Sequence, residues 1–445
     1  MDKLTIVGAG LCGTLLAIRM AQRGYVVRLY ERMPDMRKSE VPAGRSINLA
    51  LSDRGFKGLR LVGLEDLIRK EVIPMYGRMI HDIGREPWLS PYSGRKEEYI
   101  NSVSRPGLNI ALLDAAEQYP NLELHFDHRC TDVDLATGTC TFTLPHGEQI
   151  MAHADAIFGT DGAGSAVRNS MFAQSGALRF NFSQEFLDHG YKELSIPPAE
   201  DGSWRIEKNA LHIWPRQEFM LIALPNLDGS FTVTLFLPYD GSPGFDQLTH
   251  YHAVHQFFET TFPSALEHMH TLEEDFNHNP TGLLGTIKCF PWHANGKVLL
   301  LGDAAHAIVP FYGQGMNCAL EDVVVLDEII DHHAGDWKTI FDTYQSTRKK
   351  DTDAIADLAV ENYYEMRDHV DNPEFILKRK IEMLLEERHR EYSSKYNLVT
   401  FNEDIGYAQA MKRGHRQDEF LLDYCKGRNS IDEVDIGELN EQLKA

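Results

Sequence analysis

The first 31 residues constrain the fold of this chain more than any other part of it. Residues 4–7 form a short apolar run of β-favouring residues, and the turn Gly8-Ala9-Gly10-Leu11-Cys12-Gly13 follows at once. A helical apolar pattern fills residues 15–21, residues 25–30 have the pattern of a second strand, and Glu31 ends it. Strand, glycine turn, helix, strand and acid in this order are typical of a dinucleotide-binding unit, in which the phosphates lie at the helix N-terminus.

The glycines of this turn and the acid after it have separate predicted roles. Gly8 permits the tight turn, Gly10 lets the backbone approach a pyrophosphate, and Gly13 lets the helix pack close to the strand. Glu31 is placed to accept hydrogen bonds from a ribose. The turn alone does not separate an NAD site from an FAD site.

Charge and cysteine usage exclude several classes of partner. The chain carries a net charge of −22, which argues against binding to nucleic acid and to anionic membranes. Its six cysteines form no CxxC pair, so we expect a protein of the reducing cytoplasm. No stretch approaches the ~18 apolar residues of a membrane span, and a first strand at residue 3 or 4 leaves no room for a signal peptide. The twenty histidines form no HExxH motif, so no metal site is expected.

The pattern along the rest of the chain predicts a discontinuous α/β protein. A helix over residues 108–119 and a buried strand entering a glycine turn at 156–162 continue the dinucleotide-binding part. Between about 180 and 285, strand patterns separated by turn residues predict an inserted antiparallel sheet. The predicted division is 1–75, 100–180 and 285–330 for the dinucleotide-binding domain, 76–99 and 181–284 for the substrate domain, and 331–445 for a helical C-terminal region.

One strand of the predicted sheet shows a clear alternation. Phe231, Val233 and Leu235 alternate with Thr232 and Thr234. This pattern predicts a half-buried strand, with one apolar face toward the core and one polar face toward solvent.

A second glycine-rich motif follows the apolar residues 297–301. Asp303 can accept hydrogen bonds from ribityl hydroxyl groups, and the turn at 313–317 can offer backbone N–H groups to a pyrimidine carbonyl or a phosphate. The alternative is an ordinary βα turn with a helix-capping aspartate.

Together these motifs resemble the three fingerprints of the FAD-dependent aromatic hydroxylases, the class A flavin monooxygenases. The middle fingerprint is Gly159-Thr160-Asp161-Gly162, where that family normally has alanine in place of Thr160. Longer segments resemble the kynurenine 3-monooxygenases within that family; they are residues 44–52, 211–215, 222–226, 301–311 and 313–317.

The resemblance implies a fold and a set of site residues. The implied fold is α/β, with a Rossmann-type FAD-binding domain, an inserted antiparallel β-sheet substrate domain and a helical C-terminal region. The residues implied to bind non-covalent FAD are Gly8, Gly10, Cys12, Gly13, Glu31, Ala50, Arg105, Asp161, Asp303, Met316 and Asn317. Those implied to bind substrate are Arg78 and Tyr92 at an amino-acid carboxylate, with Asn362 and Tyr407, and Phe311 and Tyr312 beside the ring.

The resemblance also implies an activity, with alternatives that the residues leave open. It implies NADPH- and O2-dependent hydroxylation of L-kynurenine to 3-hydroxy-L-kynurenine through a flavin C4a-hydroperoxide, without a protein base. A phenol or salicylate hydroxylase of the same fold and a non-catalytic FAD-binding protein are the alternatives. Arg78 could instead be a surface ion-pair member. The amphipathic residues 375–385 could cover the pocket, act as a packing element or form a homodimer interface.

Overall fold

A six-stranded sheet carries the first glycine turn. The computed structural model describes residues 2–38, 48–333, 335–368, 372–428 and 430–444, so residues 44–47 of the first segment compared above lie outside the described residues. The strands of this sheet, in spatial order, are His293–Ala294, Val298–Leu300, Ala156–Gly159, Lys3–Val7, Val26–Tyr30 and Leu122–His125. All neighbouring strands are parallel except the first two.

Three parallel strands of this sheet end side by side. Lys3–Val7 lies next to Ala156–Gly159, which lies next to Val298–Leu300. Because the carboxyl ends of parallel strands meet at one edge, Gly8, Asp161 and Asp303 come to that same edge. The three motifs that are far apart in the sequence are therefore neighbours in the fold.

A seven-stranded sheet forms the second layer. In spatial order its strands are Thr281–Phe290, Asn181–Ile196, Phe231–Pro238, Phe219–Pro225, Leu211–Arg216, Gly77–Ile80 and Trp88–Pro91. Leu211–Arg216 and Gly77–Ile80 are parallel, and the other neighbours are antiparallel. The antiparallel sheet predicted for residues 180–285 is confirmed.

The strand Phe231–Pro238 corrects one prediction. Phe231, Val233 and Leu235 are buried in a core shared with the helix Tyr251–Thr261, as expected. The other face is not in solvent, because Thr232 and Thr234 are only 7% and 4% exposed. These two threonines line an internal cavity, so alternation here separates a core face from a cavity face.

Two smaller sheets and the helices complete the fold. The small sheets contain Gln149–His153, Thr139–Thr143 and Arg129–Asp134, and Asn48–Leu51, Ile100–Ser104 and Val72–Met75. The helices before residue 310 are Leu11–Gln22, Asp53–Leu61, Glu65–Ile68, Arg105–Ala116, Ala166–Ala173, Ser175–Leu178, Tyr251–Thr261, Pro263–Leu266, Leu272–His278 and Asp303–His306. Those after it are Gly315–His332, Trp337–Asp368, Pro373–Arg388, Lys395–Thr400, Tyr407–Cys425 and Ile436–Lys444.

One predicted helix is shifted toward the N-terminus. The helix expected over 108–119 spans Arg105–Ala116. Ser104 caps it by accepting a hydrogen bond of 3.2 Å from the Gly107 N–H, and Pro106 fits the first turn, where its missing N–H costs nothing. The predicted fold class is otherwise confirmed, including the helical C-terminal region.

The C-terminal helices form a layer with a core of its own. Pro373–Arg388 packs against Tyr407–Cys425 through Leu377, Ile381 and Leu421. Across the described ranges, no helix combines the length and the apolar character that crossing a membrane requires.

Candidate active site

A cavity of about 1100 Å³ runs between the two large sheets. One end is formed by the glycine turn and the edge where the three parallel strands finish. The other end is formed by the seven-stranded sheet and residues of the C-terminal region. A cavity of this size and composition, apolar with a few charged groups, is typical of a buried ligand site.

The glycine turn has the geometry that a dinucleotide requires. Gly8 has a φ of +102°, a conformation that side chains other than glycine rarely adopt. A Cβ atom at Gly13 would lie 2.0 Å from the carbonyl oxygen of Gly8, which confirms the close packing of helix on strand. A Cβ at Gly10 would meet no atom within 4 Å, and Gly10 lies on the cavity wall. The turn thus leaves an open cradle above Gly10.

Glu31 is held in place at the end of its strand. Its Oε2 accepts a hydrogen bond of 2.9 Å from the Ala9 N–H, and its Oε1 accepts one of 3.0 Å from the Met33 N–H. Glu31 also lines the cavity. The carboxylate is therefore fixed beside the cradle before any ligand arrives.

Asp303 and Arg105 both line the cavity wall, close enough for their opposite charges to interact. Burial raises the pKa of Asp303, while the nearby Arg105 guanidinium favours its charged form. Gly302, with a φ of +57°, turns the chain so that Asp303 enters the cavity. An ionised Asp303 can accept hydrogen bonds from hydroxyl groups of a ligand.

The wall contains most of the predicted cofactor residues, and two others lie behind it. Cavity-lining members of the predicted set are Gly8, Gly10, Cys12, Glu31, Ala50, Arg105, Asp161, Asp303 and Met316. Gly13 and Asn317 are not on the wall. The Asn317 side chain donates to the Ala50 carbonyl at 2.9 Å and accepts from the Ser52 N–H at 3.0 Å, so it joins two segments of the wall from behind.

Asp161 has a structural partner as well as a place on the wall. Its Oδ2 accepts a hydrogen bond of 2.7 Å from the Ala166 N–H, at the start of the helix Ala166–Ala173. The carboxylate thereby satisfies an N–H group that the helix itself leaves free. Burial raises the pKa of Asp161.

Arg78 and a group of tyrosines form the far end of the cavity. The Arg78 guanidinium lies 5.3 Å from the ring centre of Tyr92 and 5.1 Å from that of Tyr396. Tyr396 stacks on Tyr92 at 5.5 Å and on Tyr312 at 5.6 Å between ring centres. Within the described ranges, Arg78 forms no ion pair, and the neighbour of the buried Tyr92 hydroxyl is the Arg78 guanidinium, without hydrogen-bond geometry between them. The surface ion pair considered for Arg78 is therefore wrong.

Sequence reasoning missed Tyr396. It lies in the short helix Lys395–Thr400, on the cavity wall between Tyr92 and Tyr312. Its position was hidden because a tyrosine in a six-residue helix carries no motif, and only the tertiary fold brings it beside Arg78.

Asn362 and Tyr407 do not occupy the predicted place on the wall. The Asn362 amide donates to the Phe311 carbonyl oxygen at 2.7 Å, so it supports a wall residue from behind. Tyr407 is fully buried, and its hydroxyl donates to Gln314 Oε1 at 3.2 Å. Phe311 and Tyr312 do line the cavity, as predicted.

The amphipathic helix predicted near 375–385 contacts the site from outside. It spans Pro373–Arg388, and Arg379 donates to the Tyr92 carbonyl oxygen at 2.6 Å. Every residue of this helix is described, and none of them lies on the cavity wall. The helix fastens the segment that carries Tyr92 and does not itself contact the cavity.

Comparison with known sequences supports a flavin site. Residues 2–359 match the FAD binding domain family. The chain is 45% identical to kynurenine 3-monooxygenase of Myxococcus xanthus over 446 residues, covering 100% of this chain and 95% of the relative. It is also 45% identical to kynurenine 3-monooxygenase of Flavobacterium johnsoniae over 426 residues, covering 95% and 94% of the two chains.

Solved structures with low sequence identity share the fold. The tetrameric form of 2-methyl-3-hydroxypyridine-5-carboxylic acid oxygenase has a TM-score of 0.68 at 20% identity, covering 87% of this chain and 98% of that one. PqsL of P. aeruginosa in complex with 2-aminobenzoylacetate has a TM-score of 0.64 at 17% identity, covering 82% and 97%. At these identities the likeness establishes the architecture alone.

Proposed function

This chain belongs to the kynurenine 3-monooxygenase family of FAD-binding proteins, and from that membership we propose that it hydroxylates L-kynurenine to 3-hydroxy-L-kynurenine with NADPH and O2. FAD, when bound, supplies the redox chemistry, because it takes electrons from NADPH and activates O2. The protein supplies binding, orientation and exclusion of water.

The cavity wall fits FAD in shape and in chemistry. The open cradle above Gly10 suits a pyrophosphate, and Glu31 beside it suits a ribose. Asp303 is placed for ribityl hydroxyl groups, and the start of the helix Gly315–His332 can offer N–H groups to a flavin carbonyl. We propose these four features as the non-covalent FAD site.

The observation that carries the substrate assignment is the far end of the cavity. A guanidinium without an ion pair among the described residues lies next to a buried tyrosine hydroxyl, and this guanidinium is itself the polar neighbour of the hydroxyl. An amino-acid carboxylate would satisfy both groups, since arginine grips a carboxylate through two parallel hydrogen bonds. We propose Arg78, Tyr92 and Tyr396 as the residues that hold the kynurenine carboxylate.

The rest of the pocket positions the ring and keeps water out. Phe311 and Tyr312 lie on the cavity wall, which also contains the apolar residues Leu211, Ile222 and Leu224. An apolar pocket that excludes water would favour transfer of the activated oxygen to the substrate over its release as H2O2. The substrate's own ring amine makes the ring electron-rich, so we assign no protein residue as a base.

Product identification tests this function directly. The purified protein, supplied with L-kynurenine, NADPH and O2, is expected to form 3-hydroxy-L-kynurenine in proportion to the NADPH consumed. Parallel reactions with salicylate, phenol and decarboxylated kynurenine test the carboxylate requirement. Faster turnover of salicylate or phenol would assign the chain to another aromatic hydroxylase. A bound flavin that NADPH does not reduce, with or without kynurenine, would indicate a non-catalytic FAD-binding protein.

A further inference from the structure

Five buried charged or ionisable side chains form a connected network behind the cavity wall. They are Arg54, His306, Glu321, Asp322 and Arg348, and each is between 0% and 6% exposed. Neither the proposed cofactor contacts nor the proposed substrate contacts use any of them. Burying so many charges is costly, and removing one member leaves an uncompensated charge, so the arrangement calls for a specific role.

At one end of the network, Asp322 holds the turn that carries Asp303. Its Oδ2 accepts hydrogen bonds from the Gly302 N–H at 2.9 Å and from His306 Nε2 at 2.6 Å. Its Oδ1 accepts a hydrogen bond of 2.6 Å from Arg348 Nε. Gly302 and His306 flank Asp303 at either end of a short stretch, so Asp322 fixes both sides of the proposed ribityl-binding residue.

The middle of the network is a chain of guanidinium and carboxylate groups. Arg348 pairs with Glu321 Oε2 at 2.7 Å, and Arg54 donates to Glu321 Oε1 at 2.7 Å. Arg348 also donates to the Cys318 sulfur at 3.3 Å. His306, Cys318 and Asp322 lie close enough together to hold a metal ion, but two of them, Cys318 and Asp322, already contact the Arg348 guanidinium.

At the other end, Arg54 holds the C-terminal segment next to the substrate pocket. It donates to the carbonyl oxygens of Val399 and Ile405, each at 2.7 Å, and its guanidinium lies 4.1 Å from the ring centre of Tyr407. Val399 belongs to the same short helix as Tyr396. The segment held by Arg54 is therefore the one that brings a tyrosine to Arg78.

We propose that this network couples the flavin site to the C-terminal wall of the substrate pocket, with Glu321 as the link. A ligand that fixes the Asp303 turn thereby fixes residues 395–407, through Asp322, Arg348, Glu321 and Arg54. The five residues are positioning residues, because none of them lines the cavity. By linkage, whatever orders the pocket wall strengthens FAD binding by the same factor.

This proposal goes beyond the hydroxylation and rests on the flavin site alone. The test compares hydrogen–deuterium exchange of the full chain with and without FAD, in the absence of kynurenine. Addition of FAD is expected to slow amide exchange in residues 395–407 by about fivefold or more in the wild type. In Glu321→Gln, which has the same shape without the charge, FAD is expected to bind while most of that protection is lost.

Two further variants make the comparison decisive. Glu328→Gln alters an exposed acid of the same helix and is expected to keep the wild-type protection. Arg54→Lys keeps the charge but cannot reach both carbonyl oxygens, so it is also expected to lose the FAD-dependent protection. It replaces Glu321→Gln in the test if that variant fails to fold. Undiminished FAD-dependent protection in either network variant overturns the proposal, as does a wild type in which FAD protects nothing in 395–407. A failure to hydroxylate kynurenine would contradict the proposed function and leave these measurements unaffected.

Discussion

At the scale of single residues, Arg78 illustrates how burial and missing partners point to a ligand. Its guanidinium faces the cavity beside Tyr92 and Tyr396, and no described carboxylate lies within ion-pair distance. Proteins rarely leave a cation inside without a counter-charge. The arrangement therefore favours a substrate that brings its own carboxylate.

Replacing Arg78 by methionine should weaken binding of kynurenine and spare the flavin. A hydrogen bond to a charged group contributes about 1.5–3 kcal/mol, which corresponds to a roughly 10- to 150-fold rise in Kd. The measurement is kynurenine titration of the purified variant at equal flavin content. Arg85→Met, at an exposed arginine, is the matched control and should bind normally. Normal kynurenine binding by Arg78→Met would contradict the substrate site proposed here.

Two tyrosines should respond in opposite ways. Tyr396→Leu removes a ring that stacks on two others and lies under Arg78, so the kynurenine Kd should rise about tenfold. Tyr407→Phe removes only the hydrogen bond to Gln314, which should cost about 0.5–1.5 kcal/mol of stability and change the kynurenine Kd little. Titration and denaturant unfolding of both variants, side by side, check this. A large rise of the kynurenine Kd in Tyr407→Phe and little change in Tyr396→Leu would instead indicate that Tyr407 contacts the substrate.

At the scale of elements, the strand Phe231–Pro238 shows what patterning reveals and what it misses. The alternation of apolar residues and threonines correctly indicated a strand with two different faces. It did not indicate that the polar face borders a cavity, because a threonine can line a ligand cavity as readily as it can face solvent. The local pattern identifies the strand, and only the tertiary fold shows what each of its faces borders.

Substitutions on the two faces of this strand should separate stability from binding. Leu235→Ala empties a core position and should lower the free energy of unfolding by about 2–5 kcal/mol. Thr234→Val changes only the cavity face and should cost less than about 1 kcal/mol. Denaturant unfolding measures the first effect, and kynurenine titration of Thr234→Val measures any change in the cavity. Equal destabilisation by both substitutions would mean that Thr234 belongs to the core.

Two glycines of the first turn should likewise differ. Gly10→Val places a branched side chain in the open cradle, so the protein should fold but lose most of its FAD. Gly13→Ala forces a Cβ to 2.0 Å from a backbone oxygen, so little folded protein is expected. Soluble yield and flavin absorbance distinguish the outcomes. Full flavin content in Gly10→Val would contradict the assignment of the pyrophosphate to this turn.

At the scale of the whole molecule, the site residues that belong to local motifs could be predicted from the sequence, whereas the long-range contacts could not. The glycine turn, Glu31 and the Gly302-Asp303 turn each have a local pattern, and each came to the cavity wall as expected. The contacts of Arg78 with Tyr396 and of Arg54 with Glu321 and Val399 join positions hundreds of residues apart, and no local pattern encodes such a pairing. Buried charges in particular look like ordinary surface residues until the fold is known.

The pair of His306 and Asp322 should make stability depend on pH. Burial alone would lower the pKa of His306, but the Asp322 carboxylate raises it to about 10. Since the pKa of a histidine in the unfolded chain is ~6.5, the contribution of this pair to the free energy of unfolding is complete below pH 6.5. It is lost as the pH rises through 10. Between pH 7 and 9 the wild type should lose up to about 1.4 kcal/mol per pH unit more than His306→Gln. Denaturant unfolding across this range checks it, and equal slopes would contradict it.

The fixed carboxylate of Glu31 also determines which dinucleotide the molecule admits to its first turn. It stands ready for a ribose with free hydroxyl groups, whereas the ribose of NADPH carries a phosphate. Two like charges about 4 Å apart near a protein surface repel by about 4 kcal/mol. Repulsion between the Glu31 carboxylate and this phosphate should therefore keep NADPH from binding at the glycine turn. An enzyme that retains FAD and consumes NADPH needs this selectivity, because NADPH would otherwise compete with FAD for the same glycine turn.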